Sequence, residues 1–191
     1  KARISSFDKV GVIGAGGGLG IHMLKMLKLN NISTIGIDTK TEKFDICNEN
    51  GAEFSVSPME NDLNNKIADY THGNDLDVVI DFVSSKSSLQ LGASILGKGG
   101  RLITLGGSGE QFLANSADML VKELELIGSR YCTKQELKES LDLYARGLIK
   151  PLVSHKTDFN GAEELHNKIE TGDITGLSLI HISEPTRRST I

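Results

Sequence analysis

Short apolar runs alternate with amphipathic segments along the chain. Residues 9–13 (KVGVI) carry a short apolar run, VGVI, after Lys9, the pattern of a buried strand. A glycine-rich turn and a helix over about 19–29 follow, and residues 34–38 (TIGID) predict a second strand. Thr39 and Glu42 have capping-box spacing, which predicts a helix ending before Gly51. Residues 53–56 read as a short third strand, and Leu63, Ile67 and Tyr70 share one helical face. The second half repeats this plan. Residues 77–83 (DVVIDFV) are a fourth strand, and Leu89, Ala93 and Leu96 mark a helix ending at the Gly99, Gly100 turn. Residues 101–105 (RLITL) and 125–128 (ELIG) supply strands five and six. Thr133 and Glu136 form a second capping box, opening a helix with Leu137, Leu141 and Tyr144 on one face and Pro151 beyond its end. Asn160 and Glu163 mark one more cap, with Leu165 and Ile169 on the apolar face. This alternation predicts an α/β fold: a doubly wound, parallel six-stranded sheet of order 3-2-1-4-5-6 with helices on both faces.

Composition narrows the function classes. The 191 residues suffice for one domain, and 38% hydrophobic with 24% charged residues is an ordinary globular profile. The net charge of -4 gives no basic excess, so nucleic acid is excluded as the expected partner. No apolar run approaches a membrane span, and no signal peptide precedes the first strand. Cys47 and Cys132 have neither paired nor metal-ligand spacing, which fits a reduced cytoplasmic setting. Lys1 is not a start methionine, so the chain is expected to begin within a longer protein. Residues 177–187 (LSLIHISEPTR) resemble the translation of a DNA sequencing-library adapter. Residues 1–176 are therefore expected to be the domain and 177–191 a non-native tail. The alternative for that stretch is a natural strand, LSLIHI, followed by a short tail.

The glycines carry the candidate chemistry. Residues 14–20 read GAGGGLG, between a predicted strand and a predicted helix. In that context one glycine makes the tight turn, a second lets the backbone approach a pyrophosphate, and a third lets the helix pack on the sheet. The free N–H groups and positive dipole end of the helix then face the phosphates. The register Ala15, Gly17, Gly20 puts glycine at the two positions nearest phosphate and helix, with alanine departing from the strict motif at the first. Gly16, Gly18 and Leu19 complete the candidate loop. Asp38, 18 residues past Gly20 at the end of the second strand, can accept hydrogen bonds from adenosine ribose hydroxyls. Its charge would repel the 2′-phosphate of NADP, so NAD is the expected cofactor and NADP the less favoured one. Lys40 and Lys43 lie close enough to blur that preference, and Lys43 is also a candidate ribose contact. Val83 with Ser84, and Leu105 with Gly106 and Gly107, lie at the carboxyl ends of strands four and five, where small residues and carbonyls suit a nicotinamide amide. The five histidines pair with neither cysteine at ligand spacing, and no tyrosine is followed four residues later by lysine. The latter counts against the short-chain dehydrogenase mechanism. The sequence thus offers a cofactor site with no catalytic acid or base and no metal ligands.

Four stretches together resemble the cofactor domain of the medium-chain dehydrogenases/reductases, the zinc-type alcohol dehydrogenase family: VGVIGAGGGLGIHMLKMLK, IGIDTKTEKFDICNENGAE, DVVIDFVSSKSSLQLGASILGKGGRLITLGG and KELELIGSRYCTKQELKESLDLYARGLIKPLV. The resemblance implies a Rossmann domain in which alanine at position 15 is ordinary. It also implies that Asp38 marks NAD preference, that Lys43 contacts the ribose, and that Val83, Leu105 and Gly106 contact nicotinamide. The family's zinc ligands and proton relay come from an N-terminal, barrel-like (GroES-like) domain, which is expected to precede Lys1 and to be absent here. The resemblance then implies hydride transfer between an alcohol or carbonyl substrate and nicotinamide in the whole protein, with zinc held outside this chain. Some relatives lack zinc and reduce activated double bonds, and the sequence does not separate the two groups. Homodimers through the sheet edge are a further implication, with strand six at the edge. The chain alone is not expected to turn over substrate. Two other classes stay open: a non-catalytic dinucleotide-binding regulatory module, and an S-adenosylmethionine-dependent transferase. Against the latter, VGVIGAG lacks the acid usual before that enzyme's loop.

Overall fold

The computed structural model describes residues 1–182, so residues 183–191 of the expected tail lie outside it. The described chain begins with β1 (Lys9–Ile13), α1 (Gly18–Leu29) and β2 (Ser33–Ile37), followed by a 3-10 turn (Thr41–Lys43), α2 (Phe44–Glu49), β3 (Phe54–Val56) and α3 (Leu63–Thr71). It continues with β4 (Leu76–Asp81), α4 (Lys86–Ser94), β5 (Leu96–Thr104), α5 (Ser116–Lys122), β6 (Glu125–Gly128) and α6 (Lys134–Ala145). It ends with β7 (Val153–Asp158), a second 3-10 turn (Phe159–Gly161), α7 (Ala162–Glu170) and β8 (Leu177–His181).

The main sheet has the order β3-β2-β1-β4-β5-β6, parallel throughout, as the alternation of elements predicts. Gly11 of β1 sits between Ile35 of β2 and Val79 of β4. Because successive side chains on a strand point to opposite faces, each central strand feeds two cores. Val10, Val12, Val78 and Ile80 pack with Ile21, Leu24 and Leu27 of α1 on one face. Ile13, Ile35, Ile37 and Val79 pack with Leu63 and Ile67 of α3 and Leu89 of α4 on the other. Covering both faces requires near-continuous apolar strands, and KVGVI and DVVID supply them.

Several expected boundaries shift for local reasons. The Thr39–Glu42 capping box does not form. Asp38 accepts the Lys40 N–H at 3.0 Å, which starts the 3-10 turn one residue later. The fourth helix stops at Ser94 and Leu96 opens β5 instead, pairing with Leu76 before the register slips to Val78 opposite Arg101. Asp158, not Asn160, caps the segment before α7, accepting from the N–H groups of Asn160 (3.0 Å) and Gly161 (3.3 Å). Thr133 and Glu136 do form their capping box. In contrast, Leu137, Leu141 and Tyr144 of α6 share a face that stays exposed, as does Ile169 of α7. Helix α5 and the two-stranded parallel sheet β7-β8 are additions to the expected plan. β8 covers the first residues of the segment read as a tail. Among the described residues, no helix is long and apolar enough to cross a membrane.

Candidate functional site

The carboxyl ends of β1, β2 and β4 open onto a cleft of about 700 Å³, within the range of small-ligand sites. Gly14, Gly17, Gly18, Leu19 and Gly20 form its floor. The chain leaves β1 through Gly14, whose φ of +75° is a left-handed conformation that favours glycine. The turn glycine is thus Gly14, and Ala15, fully buried, packs beside Gly36 of β2 instead. At Gly20 a β-carbon would fall on the carbonyl oxygen of Gly14 and 2.7 Å from that of Ala15. Only glycine lets α1 begin this close to the strand. The first ladder bond of the turn into α1 runs from Ile21 N–H to Gly17 O at 3.0 Å. The N–H groups of Gly18, Leu19 and Gly20 come before it, the free donors of a helix N-terminus. No acidic residue lies in that first turn to compete for them.

Asp38 closes one side of the cleft and is 9% exposed. Its Oδ2 accepts the Gly16 N–H at 2.8 Å and its Oδ1 the Lys40 N–H at 3.0 Å. Each carboxylate oxygen keeps a second acceptor position, so the group is oriented by backbone and can still receive two hydroxyls. Lys43 is buried. Its stem crosses Gly16, where a β-carbon would come within 2.5 Å of Lys43 Cδ, and its Nζ donates to the Ile174 carbonyl at 2.7 Å. The ammonium expected to reach a ribose is therefore engaged by the C-terminal segment. Lys40 is engaged likewise, pairing with Asp173 at 3.1 Å.

The far wall is Phe82 and Val83 at the end of β4, with Ser85, Ser87, Ser88 and Leu91 at the start of α4. Asp81, fully buried, builds this corner: Oδ1 accepts the N–H groups of Val83 (2.8 Å) and Ser84 (2.9 Å), and Oδ2 accepts the Ser88 hydroxyl (2.7 Å). Ser84 takes φ +53° and its hydroxyl bonds Thr104 at 2.6 Å and receives the Gly106 N–H at 2.9 Å. Gly106 admits no side chain there, since a β-carbon would lie 2.7 Å from that of Ser84. Leu105 and Gly106 sit one strand beyond the cleft wall and do not line it, whereas Val83 does. Sequence reasoning missed Asp81. Its signal was a lone carboxylate inside an apolar run, followed by a serine-rich helix start. Pro58, Met59, Glu170, Thr171 and Gly172 complete the rim, and the last three are a contribution no local pattern announces. His22, early in α1, does not line the cleft. Its Nδ1 bonds Gly18 O at 2.6 Å while Nε2 accepts the Leu152 N–H at 3.0 Å, which puts the ring proton on Nδ1. Among the described residues, no group of three or more His, Cys, Asp or Glu side chains is placed to hold a metal ion.

Free helix-terminal amides, an oriented carboxylate at the end of β2 and a cleft of this volume fit a dinucleotide. Comparison with known proteins points the same way. The sequence profile described as zinc-binding dehydrogenase matches residues 18–146. An NAD-dependent alcohol dehydrogenase of Sulfurisphaera tokodaii is 25% identical over 181 residues, covering 94% of this chain and 52% of the relative. A D-arabinose 1-dehydrogenase (NADP(+)) of Saccharolobus solfataricus is 27% identical over 180 residues, 93% of this chain and 51% of the relative. The crystal structure of the alcohol dehydrogenase from Aeropyrum pernix superposes with a TM-score of 0.85 at 25% identity, covering 92% of this chain and 50% of that one. The chain spans about half the length of the curated relatives it matches.

Proposed function

Because the chain belongs to the zinc-binding dehydrogenase family, we propose that it is the NAD(H)-binding domain of an alcohol dehydrogenase-type oxidoreductase. The single observation that carries this reading is the convergence on one cleft of the free amides of α1 and the backbone-oriented carboxylate of Asp38. In this reading Gly18, Leu19 and Gly20 hold the pyrophosphate through backbone N–H groups, supported by the dipole of α1, while Gly17, whose N–H is held by the Gly14 carbonyl, keeps the loop free of side chains. Asp38 accepts the ribose hydroxyls and disfavours a 2′-phosphate, which makes NAD the preferred cofactor over NADP. Phe82 and Val83, with Leu105 and Gly106 behind them, bound the nicotinamide end, and Asp81 fixes their backbone. When bound, nicotinamide supplies or accepts the hydride exchanged with an alcohol or carbonyl substrate.

Substrate groups and zinc belong, on this account, to the catalytic domain of the whole protein, so the chain alone binds cofactor without turnover. Residues 1–176 make up the domain, and 177–191 are read as an appended tail. The reading puts the whole protein in the cytoplasm, where cysteines such as Cys47 and Cys132 would stay reduced. Two copies pair through the outer edge of β6.

The first test is amide hydrogen exchange with and without NADH. The N–H groups of Gly18, Leu19 and Gly20 are expected to gain protection while α6 is unchanged. Protection elsewhere, with none in the glycine loop, would refute this site.

A further inference from the structure

The rim formed by the segment after α7 bears on which dinucleotide the cleft accepts. Asp38, Lys40 and Lys43 line one stretch of its wall together with Thr171 and Gly172. Two cations beside an acid give a mixed message, since a lysine there could hold a 2′-phosphate that Asp38 repels. The structure takes both cations out of play from the same distant segment. Lys43 donates to the carbonyl of Ile174 and is buried. Lys40, the more exposed of the two, pairs with Asp173, 133 residues further on. The Asp173 carboxylate is in turn oriented by the Thr171 hydroxyl at 2.6 Å. The segment is anchored by the Gly176 N–H on the Gly16 carbonyl at 3.2 Å, within the glycine loop itself.

We propose that Asp173 is a specificity-determining residue: as counter-ion to Lys40 it withholds that ammonium, which lies beside Asp38, from a 2′-phosphate, and so favours NAD(H) over NADP(H). The inference rests on the reading of the cleft as a dinucleotide site. It assigns a role to a residue far in sequence from the glycine loop and from Asp38. The Lys40–Asp173 pair is solvent-exposed on both sides, at 36% and 54%. Such pairs contribute little to stability, so removing the charge at position 173 should leave the fold intact.

The test is fluorescence titration of the chain with NADH and with NADPH, in wild type, Asp173→Asn and the double variant Asp173→Asn/Lys40→Ala. In Asp173→Asn, NADPH is expected to bind about tenfold tighter and NADH to change by less than about twofold, as one uncompensated charge near the ligand implies. The gain should shrink at high salt, where exposed charges are screened, and vanish in the double variant. An unchanged NADPH-to-NADH ratio in Asp173→Asn, or a gain that survives loss of Lys40, would overturn the proposal while leaving the dinucleotide site standing. Failure of folded wild type to bind either cofactor would bring down the site and the proposal together. Should Asp173→Asn not fold, Lys40→Ala reads the same coupling. It leaves Asp173 uncompensated, so NADPH should bind about threefold more weakly with NADH unchanged, and an unaltered ratio would again overturn the proposal.

Discussion

Single residues at this cleft combine structural and chemical roles. Asp38 is held by two backbone amides before any ligand arrives, so its negative charge is already aimed into the cleft. Asp81 has no exposed surface, yet three donors satisfy it. Its task is to shape the loop that carries Val83. Cys47, buried on α2, behaves differently. Burial, reinforced by the charge of Asp38, pushes its thiol up from 9.0 to about 11. The folded state thus keeps the proton more tightly than the unfolded chain does. Stability from this group is complete below pH 9.0 and falls as pH rises from there to about 11. Chemical denaturation across that window should show a decline that Cys47→Ala removes. An equal decline in the variant would assign the effect elsewhere. The charge of Asp38 beside the glycine loop was readable from the sequence through its position at the end of a strand. The engagement of Lys40 and Lys43 was not, because their partners lie more than 130 residues away and no local pattern links them.

Elements follow the sequence where one physical signal dominates. The central strands were legible because a sheet covered on both faces demands apolar runs, and the edge strand β6, though largely exposed, matches its expected bounds, Glu125–Gly128. The Thr133 capping box forms as its three-residue spacing predicts. Where two signals compete, the reading failed. Thr39 loses its cap to the reach of Asp38, and Leu96, in phase with a helical stripe, pairs with Leu76 as the start of β5. The α1 N-terminus gives the most direct element-level prediction. Gly20→Ala forces a methyl onto the Gly14 carbonyl, and overpacking of this kind costs about 1–3 kcal/mol. Urea denaturation should detect that loss, accompanied by weakened NADH binding as the helix backs away from the loop. Wild-type stability and affinity in Gly20→Ala would show that the close approach is not required.

At the scale of the whole molecule, the centre of the sheet and its β6 edge differ in how much of them is covered. The central strands are buried, whereas β6 is an open edge with Leu126 47% exposed, and the apolar stripe of α6 faces outward. An unpaired edge beside exposed leucines favours association. Sedimentation velocity is expected to show a concentration-dependent dimer that Leu126→Lys weakens. A monomer at every concentration would remove the β6 edge from the account. β7 escaped sequence reading because it alternates exposed and half-buried positions with no apolar run, and β8 was foreseen only in the alternative reading of LSLIHI as a natural strand. Yet that outlying unit, through residues 172–176, ties the C-terminal half of the chain to the glycine loop. The central claim is that this loop and Asp38 together form an NAD-selective site. Calorimetric titration with NADH and NADPH, in wild type and in Asp38→Asn, tests it most directly. The account predicts NADH binding at least about tenfold tighter than NADPH in wild type, a gap that Asp38→Asn closes by removing one charge and little volume. Equal affinities in wild type, or a gap that survives in Asp38→Asn, would contradict it.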